Sequence, residues 1–194
     1  YVKSNILTKL SKDKFSLEIV ENVFPQIKKI KLFSNPNTFA KAKLKEADFI
    51  FLLSVLIIDG SDNVDYFIYR FNISKKNQKR ILFLNEYLKN KNNKNLNTKN
   101  LWKILYFNGN ESLLDLINFY IFKSKKVDKK LLNFINFFKN KKAPLMPLRA
   151  VTLMTKYNIP EGKELGLKLK QIENKWIDNN FSISEKEVEK LING

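Results

Sequence analysis

The side chains of this chain that could do chemistry are few, and its one close group of carboxylates lies at a predicted break between helices. Asp59, Asp62 and Asp65 follow one another at intervals of three residues, with Gly60 among them. A two-metal site needs carboxylates that converge on the ions. Aspartates at the start of a helix more often cap it or interact with its dipole. We therefore interpret these three residues as capping residues and predict no metal site.

Several catalytic classes are excluded by composition. The chain has no histidine and no cysteine. Thiol catalysis, disulfides, the common zinc sites and histidine acid–base chemistry are therefore ruled out. No nucleophile lies beside a base in any recognisable pattern, so we predict that this chain holds no catalytic residue.

The charge is concentrated in the middle of the chain. The 194 residues carry a net charge of +17, and residues 70–142 contain 18 Lys and Arg but only 4 Asp and Glu, a net charge of +14. Such a concentration favours binding to a polyanion. The alternative is a solvated surface, since Lys and Asn are abundant throughout, as an AT-rich genome would produce without selection for binding.

Basic residues near predicted helix ends are the candidate phosphate ligands. Ser74 is a predicted N-cap, and the basic residues that follow it occupy a first turn, where the helix dipole disfavours cations. An anionic partner would explain that placement. The residues predicted to bind phosphate are Arg70, Lys75, Lys76, Lys79, Arg80, Lys123, Lys125, Lys126, Lys141, Lys142, Arg149 and Lys163.

The elements that must position these residues are helices. Apolar residues recur with a period near 3.6, no segment alternates convincingly, and there are only five Gly and five Pro. We predict an all-α fold of about ten short helices. A turn is predicted at Ser34–Asn37, and one helix after it to about Asp59, with the apolar part of that helix at the centre of the core. Gly109 is a predicted left-handed C-cap, and Asn110 the N-cap of the next helix.

The sequence of the C-terminal region predicts two helices joined by a tight turn at Asn158–Gly162. A third helix is predicted after them. Leu165, Leu169, Ile172 and Trp176 lie on one face of the second helix. Gly166 lies beside that face, and a close approach of another backbone or of a phosphate would explain a glycine there. Ser184 and Glu187 have the spacing of a capping box before the last helix.

The same region resembles the tail of bacterial class II CCA-adding enzymes, the tRNA nucleotidyltransferase and poly(A) polymerase family. There a turn of the form Pro-x-Gly-x-x-Leu-Gly precedes a helix reading Leu-x-x-x-Glu-x-x-Trp. The matching residues are Pro160, Gly162, Leu165, Gly166, Glu173, Trp176 and Phe181. Residues 66–120 resemble the family's helical body.

The resemblance implies a division into junction helices (1–37), a helical body (38–143) and a helical tail (144–194). It implies that the chain holds tRNA, with Gly162, Gly166 and Trp176 shaping the tail. The catalytic head, fused or separate, would be a partner. No cofactor is expected in this chain, because Mg²⁺, CTP and ATP would belong to the head.

Two further expectations concern membranes and function. The apolar run Phe49–Ile58 is too short to span a bilayer and no signal peptide is visible, so we expect a cytoplasmic protein without a membrane partner. A different function stays open: a helical assembly module that docks a catalytic head or another protein without binding RNA. Salt separates the two, because electrostatic RNA binding weakens steeply with salt and apolar docking does not.

Overall fold

The protein is described by a computed structural model that covers residues 4–90, 96–124, 126 and 128–193, without the side chains of residues 4, 5, 43, 45 and 46. The prediction of an all-α fold is confirmed, since these residues form helices and turns but no strand. The α-helices are α1 Ser4–Leu10, α2 Lys14–Val23, α3 Thr38–Glu46, α4 Phe49–Ile57, α5 Asn63–Phe71, α6 Lys75–Lys89, α7 Thr98–Lys123, α8 Lys129–Phe138, α9 Ala150–Tyr157, α10 Lys163–Asp178 and α11 Glu185–Asn193. A 3₁₀ turn spans Ile30–Phe33.

Contacts divide the chain into two compact units, Tyr1–Lys141 and Lys142–Gly194. The first unit contains α1 to α8, and the second contains α9 to α11.

Helix α4 forms part of the core of the first unit, as its composition predicts. All of its residues from Phe51 to Ile57 are buried. The prediction of one continuous helix before and through this segment is wrong. The helix ends with α3, and a new helix, α4, begins after Asp48. The Asp48 side chain caps α4 by accepting a hydrogen bond from the Phe51 N–H at 2.9 Å. A side chain that satisfies a free N–H at a helix start makes this break stable.

Helix α7 is interrupted in its middle. Gly109 has φ 80° and ψ 172° between residues with helical dihedrals. The predicted break is therefore confirmed, although this ψ is extended and not that of the left-handed helix. Asn110 does not cap its own helix as predicted. Its side-chain Nδ2 donates instead to the carbonyl oxygens of Phe138 at 2.8 Å and Lys141 at 3.2 Å. The break in α7 is thereby attached to the C-terminal end of α8.

The second unit follows its sequence pattern closely. Leu165, Ile172 and Trp176 on α10 are buried, and Ile172 lies in a core with Leu153 and Val188. The capping box is present: the Ser184 N–H donates to Glu187 Oε2 at 2.9 Å, and the Glu187 N–H donates to Ser184 Oγ at 3.4 Å. Local pattern alone positions these helices.

Candidate nucleic-acid interface

The N-terminal end of α6 presents three lysines to solvent. Lys75, Lys76 and Lys79 are exposed. Ser74 occupies the predicted N-cap position, but its side chain makes no capping hydrogen bond. The positive end of the helix dipole therefore adds to these charges instead of opposing them. The N-terminal end of α6 combines three ammonium groups with the first N–H groups of the helix.

Lys76 and Lys79 lie beside the break in α7. A cavity of about 320 Å³ is lined by Lys76, Lys79, Arg80, Asn108, Gly109, Asn110, Glu111 and Ser112. The residues after Gly109 resume helical dihedrals, and the first N–H groups of a helical run lack carbonyl partners within it. We call Lys75, Lys76, Lys79 and the segment 108–112 the basic junction.

The basic junction includes one polar residue that is largely buried. Ser112 is only 6% exposed and lines the cavity. A hydroxyl can both donate and accept hydrogen bonds, so the Ser112 side chain is suited to a ligand that enters the cavity.

A carboxylate limits the positive charge of the basic junction. Lys76 Nζ lies 3.2 Å from Glu111 Oε1, and both side chains are largely exposed. An ion pair at such exposure contributes little to stability. A phosphate could therefore compete with Glu111 for Lys76 at small cost.

Arg80, by contrast, forms ion pairs with carboxylates of the protein itself. Its side chain is 10% exposed, and it forms a bidentate pair with Asp115, in which Nη2 donates to Oδ1 at 2.8 Å and Nε donates to Oδ2. Nη2 also donates to Asp48. The guanidinium thus joins α6, α7 and the start of α4, and we leave Arg80 out of the basic junction as a phosphate ligand.

The pKa values in this ion-pair cluster follow from burial and from the shortage of cations. Burial, together with the charges of Asp48 and Glu111, raises the pKa of Asp115 to about 6, although Arg80 opposes the shift. Burial would also raise the pKa of Asp48, but hydrogen bonds from Arg80 and from the Phe51 N–H outweigh it and hold that pKa below its ordinary value. Asp115 is the member of the cluster that ionises near neutral pH.

Four other residues predicted to bind phosphate lie elsewhere on the first unit. Arg70 is exposed on α5, with its guanidinium carbon 5.5 Å from the centre of the Phe71 ring. Lys123 and Lys126 are exposed before α8. Lys141 is exposed after α8, with Nζ 4.9 Å from the centre of the Phe137 ring.

Three of the predicted residues belong to the second unit, and a fourth is not described. Lys142, Arg149 and Lys163 are exposed residues of the second unit. Lys125 lies outside the described residues.

The three residues predicted to shape the tail lie in or beside helix α10. Trp176 is 2% exposed, and its ring lies 5.0 Å from that of Phe181, nearly perpendicular to it. Gly162 occupies the N-cap position of α10 with φ 153°. A Cβ on Gly166 would meet no atom within 4 Å, so the predicted close approach of another backbone is absent within the described part of the chain.

Two aspartates of the α4–α5 connection lie at a turn and at the start of a helix. Asp59 Oδ1 accepts hydrogen bonds from the Ser61 N–H at 3.0 Å and hydroxyl at 2.6 Å. Asp62 occupies the N-cap position of α5 without a side-chain hydrogen bond. No group of three potential metal ligands occurs in the part of the chain that the structure describes. In that part no helix has the length and apolar character needed to cross a membrane.

Sequence reasoning missed a second basic cluster. Lys28, Lys29, Lys31 and Lys123 line one cavity of about 350 Å³, although Lys123 lies more than ninety positions along the chain from the other three. The run Lys28-Lys-Ile-Lys31 after Pro25 is visible in the sequence. Only the fold shows that it meets the C-terminal end of α7.

An apolar groove lies elsewhere on the first unit. Its volume is about 380 Å³, and it is lined by Ile6, Leu7, Phe24, Ile27, Phe49, Leu52, Leu53, Leu56, Phe67 and Phe71. Phe49 is 64% exposed although it starts the most buried helix.

Comparison of the chain with protein families, with curated proteins and with solved structures finds no match.

Proposed function

We propose that this chain is the tRNA-binding body and tail of a CCA-adding tRNA nucleotidyltransferase. In this proposal it holds tRNA while a catalytic head, fused or separate, adds nucleotides to the 3′ end. The head would carry the Mg²⁺ ions and bind CTP and ATP. The resemblance of residues 144–191 and 66–120 to that family supports the proposal.

The single observation that carries RNA binding is the basic junction. Lys76, Lys79 and the residues around the break in α7, among them Ser112, line one cavity, and Lys75 is exposed at the same end of α6. Phosphate binds well where N–H groups, cations and a hydroxyl converge. Double-stranded RNA is recognised mostly through phosphates and 2′-hydroxyls, which such a surface offers to bind without reading bases.

A charge-matched pair of variants tests the role of the junction. The first variant is K75A/K76A/K79A. The second, K9A/K12A/K14A, removes three exposed lysines of α1, α2 and their connection, so the net charge falls equally. We expect the junction variant to bind fluorescently labelled tRNA about tenfold more weakly or worse, and the control to change affinity far less. Equal losses would show that only total charge matters.

An incorporation assay tests the assignment to a catalytic assembly. Purified chain, truncated tRNA and radiolabelled CTP and ATP are mixed with and without a catalytic head fragment. We expect incorporation only with the head, and with the junction variant only at raised tRNA concentration. Robust incorporation by the isolated chain would contradict the proposed division of roles.

The assembly module is the second candidate, and the apolar groove favours it. A groove lined by ten apolar side chains is of the kind that accepts a partner's apolar face. If the groove binds the catalytic head, F49D should abolish that binding and leave the affinity for tRNA unchanged. Sedimentation velocity measures the binding of the head. If the head binds through this groove and tRNA does not bind at all, the assembly role replaces the RNA-binding role.

A further inference from the structure

The cavity between the 3₁₀ turn and the end of α7 combines positive charge with apolar walls. The ammonium-bearing side chains of Lys28, Lys29, Lys31 and Lys123 line it. Its other lining residues are Leu32, Val55, Phe119 and Phe122. A volume of about 350 Å³ lies within the usual range of small-molecule sites, about 300–1,000 Å³.

The walls of this cavity are fixed by hydrogen bonds. The Lys28 and Lys29 N–H groups donate to the Leu56 carbonyl at the end of α4, at 3.1 and 3.3 Å. Asn37 Nδ2 donates to the carbonyls of Ile121 at 3.0 Å and Ser124 at 2.9 Å. The lysine-bearing segment is therefore fixed to α4, and the end of α7 is fixed to Asn37, before any ligand arrives, which lowers the entropic cost of binding.

Within the described part of the chain, the groups that would usually pair with the charges of this cavity have other hydrogen-bond partners. Carbonyls at the end of a helix normally attract a cation such as Lys123. Here the Ile121 and Ser124 carbonyls accept from Asn37, and the Tyr120 carbonyl accepts from the Ser124 hydroxyl at 2.9 Å. Asp59 is the carboxylate whose charge favours the Lys29 ammonium, and it already accepts two hydrogen bonds from Ser61.

The pKa of Lys29 is consistent with a shortage of negative charge around its ammonium group. Burial, and then the charge of Lys123, lower the pKa of the Lys29 ammonium below its ordinary value, and Asp59 only partly offsets them. A bound dianion would relieve the repulsion between the two lysines.

We propose that this cavity is a binding site for a nucleoside phosphate, whose phosphate contacts Lys29 and Lys123 and whose base packs against Phe119 and Phe122. Ammonium groups and apolar walls in one cavity match a ligand with an anionic end and an aromatic end. The nucleotide could be free or could be the end of an RNA strand. The site does not depend on the basic junction, since the two cavities share no lining residue.

Titrations with AMP, inorganic phosphate and adenosine test the composition of the site. In ¹⁵N-labelled protein, AMP should shift the amide resonances of Phe119, Phe122 and Lys123 and should raise the pKa of Lys29. Phosphate and adenosine alone should bind at least about tenfold more weakly, because each offers only half of the contacts. Phosphate binding as tightly as AMP, or no shift with AMP at millimolar concentration, would overturn the proposal.

Variants locate the ligand, and an oligonucleotide identifies its source. K29M/K123M should weaken AMP binding about tenfold or more, whereas K126M, which removes a neighbouring exposed lysine, and K75A/K76A/K79A should leave it unchanged. If K126M weakens binding as much, the cavity is not the site. A 3′-terminal RNA hexamer that competes with AMP assigns the site to an RNA end, and one that does not compete assigns it to the free nucleotide. Loss of tRNA binding with AMP binding intact would refute only the function proposed above.

Discussion

Removing the Arg80 guanidinium tests whether this residue is structural. In R80M, Asp115 loses both bonds of its bidentate pair while remaining 4% exposed. Breaking a buried ion pair by removing one partner typically costs about 3–5 kcal/mol. Asp48 and Glu111 also lose a partner, but both are more than half exposed and add little. We expect the free energy of unfolding to fall by about 3 kcal/mol or more at pH 8.

The loss in R80M should depend on pH in a defined direction. The pKa of Asp115 is already raised to about 6, and removal of Arg80 raises it further. An acid with a raised folded-state pKa contributes stability below its unfolded-state pKa, and that contribution is lost as the pH rises through the folded-state pKa. At pH 5 the carboxyl of R80M is protonated and neutral. The penalty should therefore be about 1–3 kcal/mol smaller at pH 5 than at pH 8.

The assay follows each unit separately. With 5-fluorotryptophan, the ¹⁹F resonance of Trp102 reports urea unfolding of the first unit, and that of Trp176 reports the second. R80M should lower the midpoint for Trp102. The variant R80M/D115L, which removes the stranded carboxylate, should recover stability to within about 1 kcal/mol of the parent chain and should bind tRNA normally. A loss below about 1 kcal/mol for R80M at pH 8, or no recovery in the double variant, would refute this reasoning.

Three further predictions concern single residues, all measured by the same ¹⁹F unfolding assay. G109A should destabilise the first unit by about 1 kcal/mol or more, because its φ of 80° is strained for alanine although the Cβ would have space. G166A should stabilise the second unit by up to about 1 kcal/mol, because this helical position is open; a loss of tRNA affinity in the same variant would indicate a phosphate close to Gly166. S184A should cost about 1 kcal/mol through loss of the capping box, and an unchanged midpoint for Trp176 would contradict that role.

The features that sequence predicted well are local ones. The buried face of α10, the capping box at Ser184 and the break at Gly109 each depend on residues within a few positions of one another. The break after α3 was missed because Leu44, Ala47, Phe51 and Val55 keep a helical spacing across it. Asp48 caps a new helix there, and a capping aspartate and an exposed helical aspartate look alike in sequence.

The candidate site could be predicted only in part, because its pairings are distant in the chain. Arg80 looks like the lysines around it, and only the fold brings Asp115, thirty-five positions away, to its guanidinium. The same holds for Lys29 and Lys123, whose shared cavity depends on how the 3₁₀ turn packs beside α7. Sequence shows where the charge is concentrated but not which cations remain available to a ligand.

The salt dependence of tRNA binding is the most direct test of the central claim. Each lysine that contacts a phosphate adds about 0.7 to 0.9 to the steepness of the plot of log affinity against log salt concentration. The parent chain should show a steep negative slope, and K75A/K76A/K79A should flatten it by about 2, somewhat less than three full contacts because Lys76 already pairs with Glu111. K9A/K12A/K14A should leave the slope nearly unchanged. A shallow slope for the parent chain, or the same slope for parent and junction variant, would contradict tRNA binding at the basic junction.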